Sequence, residues 1–451
     1  MAAHGMRAGL VMTALLVLGG CAFHRFSIVR QDRPERPPAP ARTVNVPAKG
    51  DILLAGGITT ALKSTATSEF YQQSSGTFLS AGTLPGSRAG TATAVTRGAS
   101  PTVLVAGGAV LHGMIANGVL SYSGTDSFSA ATFGATTGTF TATGKMFKPR
   151  LMATATALQN GGVLVTGGFD PLGTPVASAE LYHPALGKFS FIKMPMHSPR
   201  AFHTATLLAD GDVLIAGGMV DTIGTTTATA EIFDPKTETF TATANMPSAI
   251  AGHVAVLITG CACALEGQVY LADGFFSATN DGFDFDLSAG IGIMFDPKKG
   301  TMTQLSAGAH QARSFASATL LPGGKVLVAG GMAGDIFWSG KTVGGYSTNQ
   351  VLSSAEIFDP TIPESNCVGA NVPFTCNNVM GYARGAQAAA LLTSGPNAGK
   401  VLLAGGVGAP ATGGIPAPLA TAELFDPEAM TFSPGNAMTV PRAFVPWVAV
   451  P

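Results

Sequence analysis

At 451 residues the chain has room for two or three ordinary domains or for one repeat architecture, and 58 Gly, 29 Pro and only 11% charged residues read as an all-β chain of turns and short strands. Its formal net charge of -1 supplies no global field toward nucleic acid or an anionic membrane, which excludes nucleic acid as an expected partner. Five cysteines is an odd count, and in an exported protein the unpaired one asks for a role of its own.

The first segment supplies that role. Residues 1–20 carry Arg7 and then an apolar stretch from Ala8 to Leu18, too short to span a bilayer. Leu18, Gly19 and Gly20 precede Cys21, which resembles the lipobox of bacterial lipoproteins; Gly19 departs a little from the usual motif. The resemblance implies cleavage before Cys21, lipidation of its thiol and several acyl chains, enough for stable anchoring. In a Gram-negative host, Ala22 in place of Asp implies the outer membrane, facing the periplasm or the cell surface. Residues 21–47, with Pro34, Pro37, Pro38 and Pro40 among five arginines, read as an extended tether that could also touch lipid headgroups.

From residue 48 onward the chain repeats itself. The clearest unit is AFHTATLLADGDVLIAGG (201–218) followed by AEIFDPKTETFTATANMP (230–247). Asp210-Gly211 is a two-residue hairpin signal and Asp234-Pro235 presets a tight turn, so the unit predicts four antiparallel strands. A diglycine recurs at Gly56, Gly107, Gly167, Gly217, Gly330 and Gly405, with Asp273-Gly274 in the remaining slot, giving seven copies. These residues resemble the Kelch repeat, of the superfamily that includes the galactose oxidase central domain. The resemblance implies an all-β fold, a seven-bladed β-propeller over 48–451. Kelch repeats usually place Trp in the fourth strand, where this chain has Phe78, Phe140, Phe189, Phe240 and Phe432. The first copy lacks its first strand, and AFVPWVAV (443–450) aligns with AFHTATLL, so the C-terminus is expected to close the ring.

The loops after the diglycines are longest in blades two (109–130), five (275–292) and six (332–355), and unequal loops on one face of a repeat array mark a binding face. Phe337, Trp338 and Tyr346 in blade six, with Asp281, Phe283, Asp284 and Asp286 in blade five, suit a glycan or peptide; packing of the loops themselves is the plainer reading. The acidic run lacks the pattern of an EF-hand, and no metal or other cofactor is expected. Arg88, Arg150, Arg200, Arg313, Arg384 and Arg442 lead into six blades, and five blades carry a third-strand Glu. Blade five has neither, which suggests that the two are partners: a structural ion pair first, ligand binding by Arg200 second. His203 and His253 stand at equivalent inner-strand places and invite a binding reading, although such residues mostly fill the channel. Cys367 and Cys376 are expected to form a disulfide. Cys261 and Cys263, one residue apart, leave a free pair, a labile disulfide and a metal site open.

No Ser-His-Asp pattern, P-loop or dinucleotide fingerprint points to a reaction. The expectation is a monomeric, membrane-tethered binding scaffold for glycan or protein, more a binder than an enzyme. The resemblance leaves two alternatives, a small-molecule enzyme of the sialic acid mutarotase type and a copper oxidase of the galactose oxidase type. The latter needs two His and two Tyr, which this sequence does not match residue by residue.

Overall fold

The computed structural model describes residues 45–98, 100–116, 119–276, 290–305, 311–333, 336–339, 342–347, 351–362, 374–410 and 416–451. Val44–Pro451 form one compact unit. Among the described residues there is no α-helix, only short strands and one 3-10 turn.

Blade four shows how the repeat becomes a sheet. Thr204–Leu207, Val213–Ala216, Ala230–Asp234 and Thr239–Ala242 pair in that order, each antiparallel to the next. Gly211 takes φ +100° in the first turn, and Asp210 Oδ1 accepts the N–H of Asp212 across it. The strand Val213–Ala216 is buried at all four positions, because a blade is packed on both faces by its neighbours. The inner strand, Thr-Ala-Thr-Leu, is instead only half-buried at all four positions.

Seven such four-stranded sheets occur among the described residues. Their inner strands adjoin in sequence around a ring. Trp447–Ala449 takes the inner place of blade one, pairing with Ile52–Ala55 from Ile52↔Ala449 to Leu54↔Trp447. The fourth-strand Phe fills the place of the expected Trp by packing on the third-strand aromatic opposite it; Phe233–Phe240 and Tyr182–Phe189 centroids lie 4.9 Å apart.

The diglycine is needed for close approach between blades. Gly217 has φ +63°, and a Cβ there would sit 2.4 Å from the carbonyl oxygen of Ile250 in the next blade. Blade five breaks this rule with Asp273 at φ +63°. Its carboxylate is buried without a hydrogen-bond partner, 3.8 Å from Arg313 Nε, and burial holds its pKa well above the usual carboxylate range.

Two long loops have strand structure of their own. The hairpin Ala109–Ala116/Val119–Asp126 from blade two and the hairpin Ile336–Ser339/Thr342–Ser347 from blade six join through Val119–Asp126 and Thr342–Ser347 into an eighth four-stranded sheet. Both hairpins link the second and third strands of their blades, so this sheet belongs to the loop-bearing face.

Candidate functional site

The recurring arginines do not reach solvent. Arg200 is fully buried; its Nη1 donates to the carbonyls of Gly217 and Thr229, both at 2.9 Å, and its Nη2 donates to Glu231 Oε1 at 2.8 Å. Glu231 in turn accepts the N–H of His197 at 2.8 Å, so the pair stitches the segment leading into the blade to its third strand. Burial works to raise the Glu231 pKa, but the His197 N–H and Arg200 hold it below the ordinary value; burial lowers that of Arg200. The same pairing joins Arg150–Glu180, Arg313–Glu356, Arg384–Glu423 and Arg442–Glu69. In blade five, Ile250 and Ile293 replace both partners and share one apolar cluster. In blade two Ala131 stands at the Glu position, and Arg88 donates instead to the carbonyls of Gly86 and Ser129.

His203 and His253 are seam residues. His203 Nε2 lies 3.1 Å from Thr154 Oγ1 and 3.0 Å from Thr166 Oγ1 of the preceding blade, and His253 Nε2 lies 2.9 Å from Thr204 Oγ1. Gln387 occupies the same place in blade seven and donates to Ser317 Oγ and Ala329 O of blade six. Burial, reinforced by the charge of Arg200, pushes both histidines down to about 3, so they are neutral at neutral pH.

This has a measurable consequence. The unfolded chain protonates these imidazoles near pH 6.5 and the folded chain only near 3, so stability is full above 6.5 and falls as the pH drops through that window. At pH 5 the expected loss is about 2 kcal/mol per histidine. Asp273, raised rather than lowered, acts with the opposite sign: its contribution is present at low pH and is lost as pH rises. Urea melts at pH 7 and 5 should therefore show a smaller acid loss in His203→Gln/His253→Gln, which copies Gln387 and leaves Asp273 in place. Equal acid losses in both proteins would contradict the assignment.

The axis itself is closed. Gly90, Met152, Phe202, Gly252, Phe315, Ala386 and Phe444, one from each blade, all adopt φ between 50° and 64°. This left-handed turn costs the non-glycine residues on the order of 1 kcal/mol each. It is compensated by a belt of backbone bonds between blades: Met152 N to Gly90 O, Gly252 N to Phe202 O, Phe315 N to Gly252 O and Ala386 N to Phe315 O at 2.9 Å, and Gly90 N to Phe444 O at 3.4 Å. Against the belt lies an apolar plug made by the residues that follow the diglycines, among them Ile58, Phe169, Met219, Phe275 and Met332. Phe202 meets Phe169 at 5.3 Å and Phe315 at 5.1 Å. A cavity of about 350 Å³ on the axis is lined by Phe202, His203, His253, Gln387 and Trp447.

The sequence candidates are thus separated. Arg200, His203 and His253 lie in blade seams near the axis. Asp281, Phe283, Asp284, Asp286, Cys367 and Cys21 lie outside the described residues. Phe337, Trp338, Tyr346 and Cys376 belong to strands of which the backbone alone is described. Cys261 and Cys263 form a disulfide. Missed in the sequence were the belt and the plug, although an apolar residue after every diglycine was a visible signal. Among the described residues no three His, Cys, Asp or Glu side chains stand close enough to hold a metal ion; His203 and His253 engage threonines through Nε2.

The Kelch motif family matches residues 200–247, the unit of blade four. No curated protein sequence matches the chain. Among solved structures, it is similar to a fungal alcohol oxidase of the AA5 family in complex with copper, at 16% identity and TM-score 0.56 over 90% of this chain and 89% of that one. It is also similar to YjhT, at 13% identity and TM-score 0.47 over 72% of this chain and 96% of that one. At such identities the oxidase likeness carries the fold alone.

Proposed function

With the chain a β-propeller of Kelch repeats, we propose that it is an exported scaffold, anchored through lipidated Cys21, that binds a glycan or protein partner through its loop-bearing face and performs no chemistry of its own. The observation that carries this reading is the eighth sheet: blades two and six have extended their loops into hairpins that join outside the propeller body. Strand structure of that kind serves no blade, and it enlarges one face. In contrast, the recurring Arg and Glu side chains are consumed in buried ion pairs at the seams, the usual mark of architecture rather than of a reacting centre.

The test replaces residues 335–349 by a short glycine linker. On a glycan array the intact protein is expected to bind at least one structure and the variant to lose about tenfold in affinity at an unchanged melting temperature, on the order of 1.4 kcal/mol. Turnover of free sugars or alcohols by the intact protein would overturn the reading in favour of an enzyme, as would array binding indifferent to the hairpin. Anchoring is read separately, since Cys21→Ser should move the protein from the membrane to the soluble fraction.

A further inference from the structure

In blades three and four the first hairpin turn is tight, closed by Leu158 and Leu208 around Asn160-Gly161 and Asp210-Gly211. In blade five the corresponding turn runs from Ile258 to Gln268 and contains the Cys261–Cys263 disulfide. We propose that this bridge is a thiol–disulfide exchange site for small thiols, with Cys263 as the sulfur attacked.

Three observations converge on it. The bridge closes a loop of sequence separation 2, and a cross-link restrains the unfolded chain less the shorter its loop, so little conformational entropy protects it from reduction. The two sulfurs also differ in surroundings. Cys261 is buried at 8% exposure; its N–H donates to Glu266 Oε2 at 2.9 Å while Gly260 N–H donates to Oε1 at 3.1 Å. Gly324 of the next blade packs so close that a Cβ there would lie 2.6 Å from Cys261 Cβ. Cys263 is only half-buried and lines a groove of about 530 Å³ with Leu265, Met294, Thr303, Leu305 and Ile362. At the edge of the groove Lys299 and Asp296 form an ion pair at 2.9 Å, so the carboxylate there is neutralised and does not repel an approaching thiolate.

Finally, the turn stands without the bridge. Ile258 N–H donates to Gln268 O, Gly267 N–H to Ile258 O and Gln268 N–H to Leu265 O, so the sulfurs are free to open while the hairpin stays closed. The exchange runs in two steps. A thiolate in the groove attacks Cys263 Sγ; the bridge breaks, its electron pair leaves on Cys261 Sγ, and that sulfur takes a proton from water. A second thiolate attacks the mixed disulfide, releasing the oxidised small disulfide and leaving Cys263 to take its proton. Two thiols are oxidised to one disulfide, and the bridge is reduced to two thiols.

Glutathione is the probe. The full-length protein is equilibrated in buffers of reduced and oxidised glutathione, quenched by alkylation and mapped by peptide mass. The bridge is expected to open under reducing ratios without loss of the thermal transition, and the trapped intermediate to carry glutathione on Cys263. In the single variants, Cys263 of Cys261→Ser should react with oxidised glutathione about tenfold faster than Cys261 of Cys263→Ser, because attack follows access to the sulfur. Thr303→Trp, which fills the groove, should slow opening in the otherwise native chain. A bridge that stays closed under those ratios, adducts shared evenly by the two sulfurs, or opening indifferent to Thr303→Trp would each overturn the proposal. The adduct map on the native chain decides the matter even where a cysteine variant does not fold.

Discussion

Deletion of residues 443–451 is expected to abolish the cooperative thermal transition of the propeller, or to lower its midpoint by more than ten degrees. The segment carries more than the three residues of its strand. Trp447–Ala449 satisfies the edge of Ile52–Ala55, and Ala443 exchanges two 2.9 Å backbone bonds with Ile58. Val445 and Val450, at 6% and 2% exposure, pack into the clusters on either side of blade one. Burying two such side chains contributes roughly 1.5–3 kcal/mol each. The freed backbone groups cost about 1 kcal/mol apiece where water cannot replace their partners. Together these approach the 5–15 kcal/mol that typically separates a folded domain from its unfolded chain. Calorimetry of full-length and truncated proteins decides it, and an unchanged midpoint in the truncated chain would show that the ring does not depend on this strand.

The strands were legible because their signals are local. Asp210-Gly211, Asp234-Pro235 and the diglycines each demand a particular backbone, and repetition removes the ambiguity of any single copy. The Arg–Glu partnership was legible for a different reason: blade five lacks both residues, and the structure puts Ile250 and Ile293 together in their place. Joining of the blade-two and blade-six hairpins was not legible. Nothing in a sequence says which distant strand pairs with Val119–Asp126. The belt was hidden for a related reason. Phe202, Phe315 and Phe444 are residues that ordinarily avoid positive φ, and only the bonds offered by the neighbouring blades explain the conformation. Asp273 shows the converse, since a broken repeat was plain to see while the fate of the buried carboxylate was not.

Replacing Arg200 or Glu231 alone by an apolar residue is expected to cost about 3–5 kcal/mol, because each single change leaves an uncompensated charge in a seam closed to water. Glu231→Ile strands the Arg200 guanidinium, and Arg200→Ile leaves the Glu231 carboxylate without its buried cation, held only by the His197 N–H and ring Nδ1 and by the Ser198 N–H. The informative variant copies blade five. Arg200→Ile with Glu231→Ile removes both charges and substitutes the pairing that Ile250 and Ile293 already make at the equivalent site. The carbonyls of Gly217 and Thr229 then lose their donor, so the double variant is not free of cost. It should nevertheless be at least about 2 kcal/mol more stable than the sum of the single losses predicts, a coupling within the range for residues in direct contact. Urea titrations of the wild type, the two single Ile variants and the double variant measure it. Additive losses would dissolve the pair as a unit, and single variants that kept full stability while losing ligand would return Arg200 to the binding role that its burial argues against.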